Sequence, residues 1–265
     1  MLYEKVRFDE QDPDAFLEVY VADQVRGFVC NAMLVIPGGG YKKVCSDREG
    51  EPIAQAFMPY GFNAFVLHYS VKKKPFPAHL IQASKAIKYI KDNAQRYNIY
   101  PEKVFTVGFS AGGHLAASLG TLWHMEEIYQ QVSMPYGYNK PAGMMLIYPV
   151  ISAKYHKMSF DNLMMDENAP AELLERCSIE NCVSEKTCPA FIIHTANDQL
   201  VDVRNALVMA DALAVNGIKF ELHIYPDAPH GIALGNKITM GTNEKFCNPV
   251  IAQWVRHAAV WAENL

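Results

Sequence analysis

Short apolar runs rich in Val, Ile, Leu and Phe recur along the chain and alternate with longer stretches of helical period. Ala32–Ile36 reads as a buried strand that ends at Pro37-Gly38-Gly39-Gly40. Asn63–Tyr69, Lys103–Phe109, Gly143–Tyr148, Ala190–Thr195 and Lys219–Tyr225 read as further strands. Between them, Glu51–Pro59 reads as a helix opened by Ser46-Asp47-Arg48-Glu49, which has the form of a capping box. A long helix is expected from about Ala78 to Tyr97, where Leu80, Ala83, Ile87, Ile90, Ala94 and Tyr97 keep i, i+3/i+4 spacing. Others follow through His114–Leu119, from an N-cap at Asp202 through Val215 to the stop Asn216-Gly217, and over Val250–Asn264. Apolar strands separated by helices need cover on both faces. The pattern therefore predicts an α/β fold with a mostly parallel sheet, and residues 1–30 read as its antiparallel edge. No repeat or linker interrupts it. Residues 151–186 are polar, Met-rich and irregular, and are read as a lid or pocket insertion.

Composition narrows the function classes. Among 265 residues, half are apolar and 20% charged, with 24 Lys+Arg against 28 Asp+Glu for a net charge of −4. Such a balance exerts no long-range pull on nucleic acid, and Lys72-Lys73-Lys74 before Pro75 reads as a solvated loop. The most apolar stretch, Ala142–Ala153, is too short for a membrane span and is broken by Pro149. The charged N-terminus does not resemble a signal peptide. Six scattered cysteines form no Cys-x-x-Cys pair, and Cys177, Cys182 and Cys188 lack zinc-site spacing. Reduced thiols and a cytoplasmic location are expected, with no metal and no cofactor.

The chemistry concentrates at Gly108-Phe109-Ser110-Ala111-Gly112. A strand runs into this Gly-x-Ser-x-Gly and a helix leaves it, the setting of a nucleophile elbow. A serine nucleophile needs a base, and the base an orienting acid. Asp198 and His230 follow strands and fall in loops at the C-terminal edge of the sheet, where sites in open α/β folds form. Ser110, Asp198 and His230 are the expected triad. Asp202 reads better as a cap and Asp227 as a turn residue. His68, His194 and His114 read as packed or cleft-lining, and His124, His156, His223 and His257 have no motif context. The loop Pro37-Gly38-Gly39-Gly40-Tyr41 offers unobstructed amides for an oxyanion. Gly39 and Gly40, with the amide of Ala111, are assigned to it, and a one-residue shift in register would bring in Tyr41. The loop matches neither nucleotide-binding glycine pattern. Tyr41, Phe109 and Tyr69 are candidates for contacting substrate. Trp123, Tyr155 and the His156–Met165 region also stand as candidates for lining the pocket.

On Pro37-Gly-Gly-Gly-Tyr41, Gly108–Ala117, His194–Asp198 and Pro229-His230-Gly231, the chain resembles the α/β-hydrolase superfamily. Within it, it is similar to small bacterial acetyl esterases and hormone-sensitive-lipase-like enzymes. The resemblance covers nearly the whole chain. Pro37 stands where the usual loop has a histidine, which matches a subgroup that looks like carbohydrate acetyl esterases, some with xylanase names. It implies a serine carboxylic-ester hydrolase removing short acyl groups, acetyl foremost, from acetylated carbohydrates such as xylo-oligosaccharides. A glycosidase would need two carboxylates about 5–9.5 Å apart across the bond, and no such pair is legible. The alternatives are a prolyl-oligopeptidase-like peptidase and a catalytically silent binding protein. The expected partner is a small ester, with no nucleic acid and no membrane, and a free sheet edge would allow a homodimer. Because the site draws on residues from Gly39 to His230, the chain is read as one hydrolase domain.

Overall fold

The computed structural model describes residues 1–265. Its strands are β1 (Leu2–Arg7), β2 (Phe16–Val21), β3 (Cys30–Ile36), β4 (Phe62–His68), β5 (Ile99–Phe109), β6 (Met144–Ile147), β7 (Ala190–Thr195) and β8 (Phe220–Tyr225). They form one sheet in the order β1-β2-β4-β3-β5-β6-β7-β8. The pairs β1–β2 and β2–β4 are antiparallel and all others parallel, so the N-terminal edge falls where the sequence places it.

The helices are α1 (Ser46–Glu49), α2 (Glu51–Phe57), α3 (Ala78–Asp92), α4 (Ala111–Leu122), α5 (Glu126–Gln131), α6 (Lys157–Met164), α7 (Ala171–Cys177), α8 (Arg204–Val215) and α9 (Trp254–Glu263). Along β3, Ala32, Leu34 and Ile36 face a core shared with α3, α4 and α8. Met33 and Val35 face a second core with Phe57 of α2 and Trp254 of α9. Both faces of the strand are buried, which is why its sequence shows no alternation.

Three local expectations change. Helix α3 ends at Asp92, not Tyr97, because the Asn93 side chain donates to the Tyr89 carbonyl at 2.8 Å and closes the turn. The capping box at Ser46–Glu49 does not form. That segment is a separate helical turn without a side-chain cap, and the Glu49 carboxylate is used elsewhere. Residues 151–186 fold into α6, α7 and a 3-10 turn at Ile179–Cys182. They are pinned to the body by Asn205 Oδ1, which accepts from the Ile151 and Ser152 amides at 2.9 and 3.0 Å.

His114 of α4 is buried in the core. Its ring bridges the Tyr41 hydroxyl (2.7 Å from Nδ1) and the Cys177 carbonyl (2.8 Å from Nε2). The carbonyl can only accept, so Nε2 carries the proton and Nδ1 accepts from Tyr41. Burial lowers the pKa of both His114 and His79 from 6.5 to about 4. A depressed folded-state value contributes stability that is present above 6.5 and lost as pH falls through about 4. The difference corresponds to about 3 kcal/mol for each histidine. Melting temperature is therefore expected to drop steeply between pH 6.5 and 4. A thermal-unfolding series over that range checks this, and a flat profile would contradict it.

Candidate active site

Ser110 sits between β5 and α4 at φ 53° and ψ −119°, a conformation rare for a residue with a side chain. Three hydrogen bonds hold it there. Its amide donates to Ile147 O (3.0 Å), and its carbonyl accepts from Val150 N (3.0 Å) and His114 N (3.2 Å). The elbow is packed so closely that a Cβ at Gly108 would overlap the Gly112 carbonyl, and one at Gly112 the carbonyls of Ile36 and Pro37. The glycines of the motif therefore let strand, helix and neighbouring loop meet.

The structure brings the three expected residues together. His230 Nε2 lies 2.9 Å from Ser110 Oγ, and His230 Nδ1 lies 2.7 Å from Asp198 Oδ2. Asp198 Oδ1 accepts from the Leu200 and Val201 amides at 2.9 and 3.0 Å. His194 Nε2 stands 3.4 Å from Oδ2 and 2.9 Å from the Val201 carbonyl. Burial disfavours a charge on Asp198. Hydrogen bonds from His194 and His230 and the Val201 amide outweigh it and hold the carboxyl well below the usual range. A carboxylate facing Nδ1 requires the proton on that nitrogen, which leaves Nε2 to accept from the serine hydroxyl. The rival acids are engaged elsewhere, Asp202 with Arg204 and Asp227 with Asn197.

Beside the serine, the carbonyls of the glycine loop are all engaged: Pro37 accepts from the Tyr69 hydroxyl, Gly38 from the Cys45 amide, Gly39 from the Lys42 and Lys43 amides, and Gly40 from Asn162 Nδ2. The Gly38 amide donates to Glu49 Oε2 at 2.8 Å, whereas the amides of Gly39 and Gly40 have no acceptor within the protein. Gly39 adopts φ 125°, and a Cβ there would overlap the Lys43 carbonyl. Ala111 opens α4, so its amide belongs to the helix end whose N–H groups have no intrahelical partner.

A cavity of about 200 Å³ lies against Ser110, His230, Gly39 and Gly40. Arg48, Glu49, His156, Ser159, Asn162 and Leu200 complete much of its wall. Thus α6, from the expected insertion, does reach the site. Tyr41, Tyr69 and Phe109 do not line it. Tyr41 and Tyr69 are buried with hydroxyls spent on His114 and the Pro37 carbonyl. Phe109 points to the other face of the sheet, against Tyr148 and Trp254. Trp123 donates to the Lys186 carbonyl and Tyr155 stacks on Arg204, both away from the cavity.

The His156–Met165 region expected to line the pocket does so, through His156, Met158, Ser159 and Asn162, whereas no chemistry was legible for the His156 ring or for Glu49. His156 lacks any motif, yet its Nδ1 lies 3.0 Å from the Leu200 carbonyl, so it donates and Nε2 remains an acceptor on the cavity wall. Burial, reinforced by His230, lowers its pKa and keeps it neutral. Glu49 was hidden in the apparent capping box. No three His, Cys, Asp or Glu side chains are grouped to hold a metal ion, and no helix is long and apolar enough to cross a membrane.

The sheet order, the strand–serine–helix elbow and the two loops that meet it define an α/β-hydrolase. The BD-FAE family profile matches residues 17–213, and the chain belongs to that family. It is 36% identical over 217 residues to endo-1,4-beta-xylanase B of Butyrivibrio fibrisolvens, covering 78% of this chain and 33% of that protein. It is 31% identical over 210 residues to the acetylxylan esterase of Xylanibacter ruminicola, covering 77% and 41%. The chain thus spans about two-fifths or less of the curated relatives it matches. Among solved structures, the acetyl ester-xyloside bifunctional hydrolase of Caldicellulosiruptor lactoaceticus superposes with a TM-score of 0.84 at 32% identity, over 98% of this chain and 96% of that one.

Proposed function

We propose that the chain is a serine carboxylic-ester hydrolase that removes acetyl and other short acyl groups from acetylated carbohydrates of the xylo-oligosaccharide type. The observation that carries this is the unbroken line Asp198–His230–Ser110, with contacts of 2.7 and 2.9 Å. As Ser110 Oγ attacks the ester carbonyl, His230 Nε2 takes its proton and Asp198 stabilises the imidazolium. The carbonyl oxygen gains negative charge and is met by the amides of Gly39, Gly40 and Ala111. Collapse of the tetrahedral species expels the alcohol, which takes the proton from Nε2 and leaves an acetyl-serine. Water then attacks that ester, gives its proton to His230, and acetate leaves as Ser110 is reprotonated. Side chains, backbone amides and water suffice for every step.

The small cavity supports a short acyl group, and the neutral acceptor on His156 supports an alcohol rich in hydroxyls. The names of the relatives point the same way. Their xylanase and xyloside labels find less support in this site. Its two carboxylates, Glu49 and Asp198, are both engaged, one by Gly38 and Tyr148 and the other by His230. Since loops from Gly39 to His230 build the site, we take residues 1–265 as one hydrolase domain. On acetyl, butyryl and octanoyl p-nitrophenyl esters, kcat/KM is expected to fall about tenfold or more at each step. Acetylated xylo-oligosaccharides should release acetate without new reducing ends. Preference for octanoate, or cleavage of the sugar chain, would overturn this reading.

A further inference from the structure

We propose that Glu49 is a positioning residue for hydrolysis: its buried carboxylate ties the oxyanion loop to the loop that carries His230. This rests on the esterase reading and extends it. Glu49 is 1% exposed. Its Oε2 accepts from the Gly38 amide at 2.8 Å, and its Oε1 from the Tyr148 hydroxyl at 3.0 Å. Gly38 precedes the lining glycines Gly39 and Gly40, and Tyr148 packs against the lining His230. Gly38 abuts the nucleophile turn so closely that a Cβ would stand 2.6 Å from the Phe109 carbonyl and 2.9 Å from Ser110 Cβ. Holding the Gly38 amide, together with the bonds to the loop's carbonyls, thus helps set where the free amides of Gly39 and Gly40 stand relative to the serine.

Tyr148 touches the histidine loop twice. Its hydroxyl accepts from the Ala233 amide at 3.1 Å, and its ring packs on the His230 imidazole at 5.0 Å, inclined by 67°. Two donors that converge on one group call for two acceptor oxygens. A carboxylate has them, whereas an amide would turn an N–H₂ toward one donor. Burial works against a charge at Glu49 and raises its pKa, opposed by Arg48, the Gly38 amide and the Tyr148 hydroxyl.

The same carboxylate adds its field to His230. The groups that face this imidazole are Asp198, Ser110, Tyr148, Glu49 and His156. Arg48 lies over the adjoining Gly231. Glu49 is the second negative group among them, after Asp198, and it favours the imidazolium that forms during attack.

The test compares wild type, Glu49→Gln, Tyr148→Phe and Ser110→Ala for kcat and KM on p-nitrophenyl acetate, and for the rate of fluorophosphonate labelling. Glu49→Gln is expected to lower kcat and the labelling rate about tenfold, with KM changed less than about threefold. Tyr148→Phe keeps the ring and removes the bridge, so labelling should slow severalfold. An unchanged kcat, or a rise in KM as large as the fall in kcat, in Glu49→Gln overturns the proposal. Should that variant not fold, wild-type labelling by Tyr148→Phe overturns it. A wild type without Ser110-dependent turnover instead overturns the esterase reading, and this role with it.

Discussion

Ser110→Ala is expected to cut kcat/KM on p-nitrophenyl acetate by about five orders of magnitude, with little change in melting temperature. The hydroxyl is the one oxygen within reach of His230 Nε2, at 2.9 Å, and its removal leaves the base nothing to activate but water. Residues of a triad act as a unit, so the loss should approach that of removing all three. Turnover should remain above the uncatalysed rate, because the amides of Gly39, Gly40 and Ala111 would still face the carbonyl. The backbone around residue 110 is held by bonds to Ile147, Val150 and His114 that do not involve the side chain. A variant that kept more than about one per cent of its activity would exclude Ser110 as nucleophile.

Asp198→Asn should lower kcat about ten-thousandfold at neutral pH. The argument lies in the tautomer. Oδ1 of Asp198 is occupied by the Leu200 and Val201 amides, and Oδ2 faces His230 Nδ1 at 2.7 Å. An asparagine would keep its carbonyl oxygen on the two amides and turn N–H₂ toward Nδ1. The ring would then hold its proton on Nε2 and could not accept from Ser110. Asp202→Asn is the matched control. Its carboxylate pairs with Arg204 on the surface, so kcat should stay within about twofold of wild type. A mild effect at Asp198 and a severe one at Asp202 would reverse the assignment of the acid.

The triad was legible because each member lies in a local pattern: a strand, a tight turn rich in small residues, then a helix or loop. The fold was legible for a related reason. Strands such as Phe62–His68 are apolar at every position except Asn63 and the final His68, and that demands cover on two sides. Residues whose role depends on distant partners were not legible. Glu49 meets Tyr148 across 99 positions of chain, and no spacing rule anticipates that contact. Read locally, Ser46–Glu49 satisfies the letter of a capping box, but the demand of Gly38 and Tyr148 for an acceptor overrides it. The aromatic pocket candidates failed because nearness in sequence is not exposure. Tyr41, at φ 56°, turns into the core toward His114, and strand alternation sends Phe109 to the face opposite α4. The His156–Met165 region was legible as pocket lining, but the orientation of the His156 ring needed the fold itself, since the Leu200 carbonyl holds its Nδ1.

The central claim is that one serine, activated by His230, carries the chemistry. Labelling the intact protein with a fluorophosphonate and mapping the adduct by peptide mass spectrometry tests it most directly. The account predicts a single adduct on Ser110, formed in step with loss of esterase turnover and absent from Ser110→Ala. Turnover that survives complete labelling of Ser110, or an adduct on another residue that tracks the loss, would contradict it.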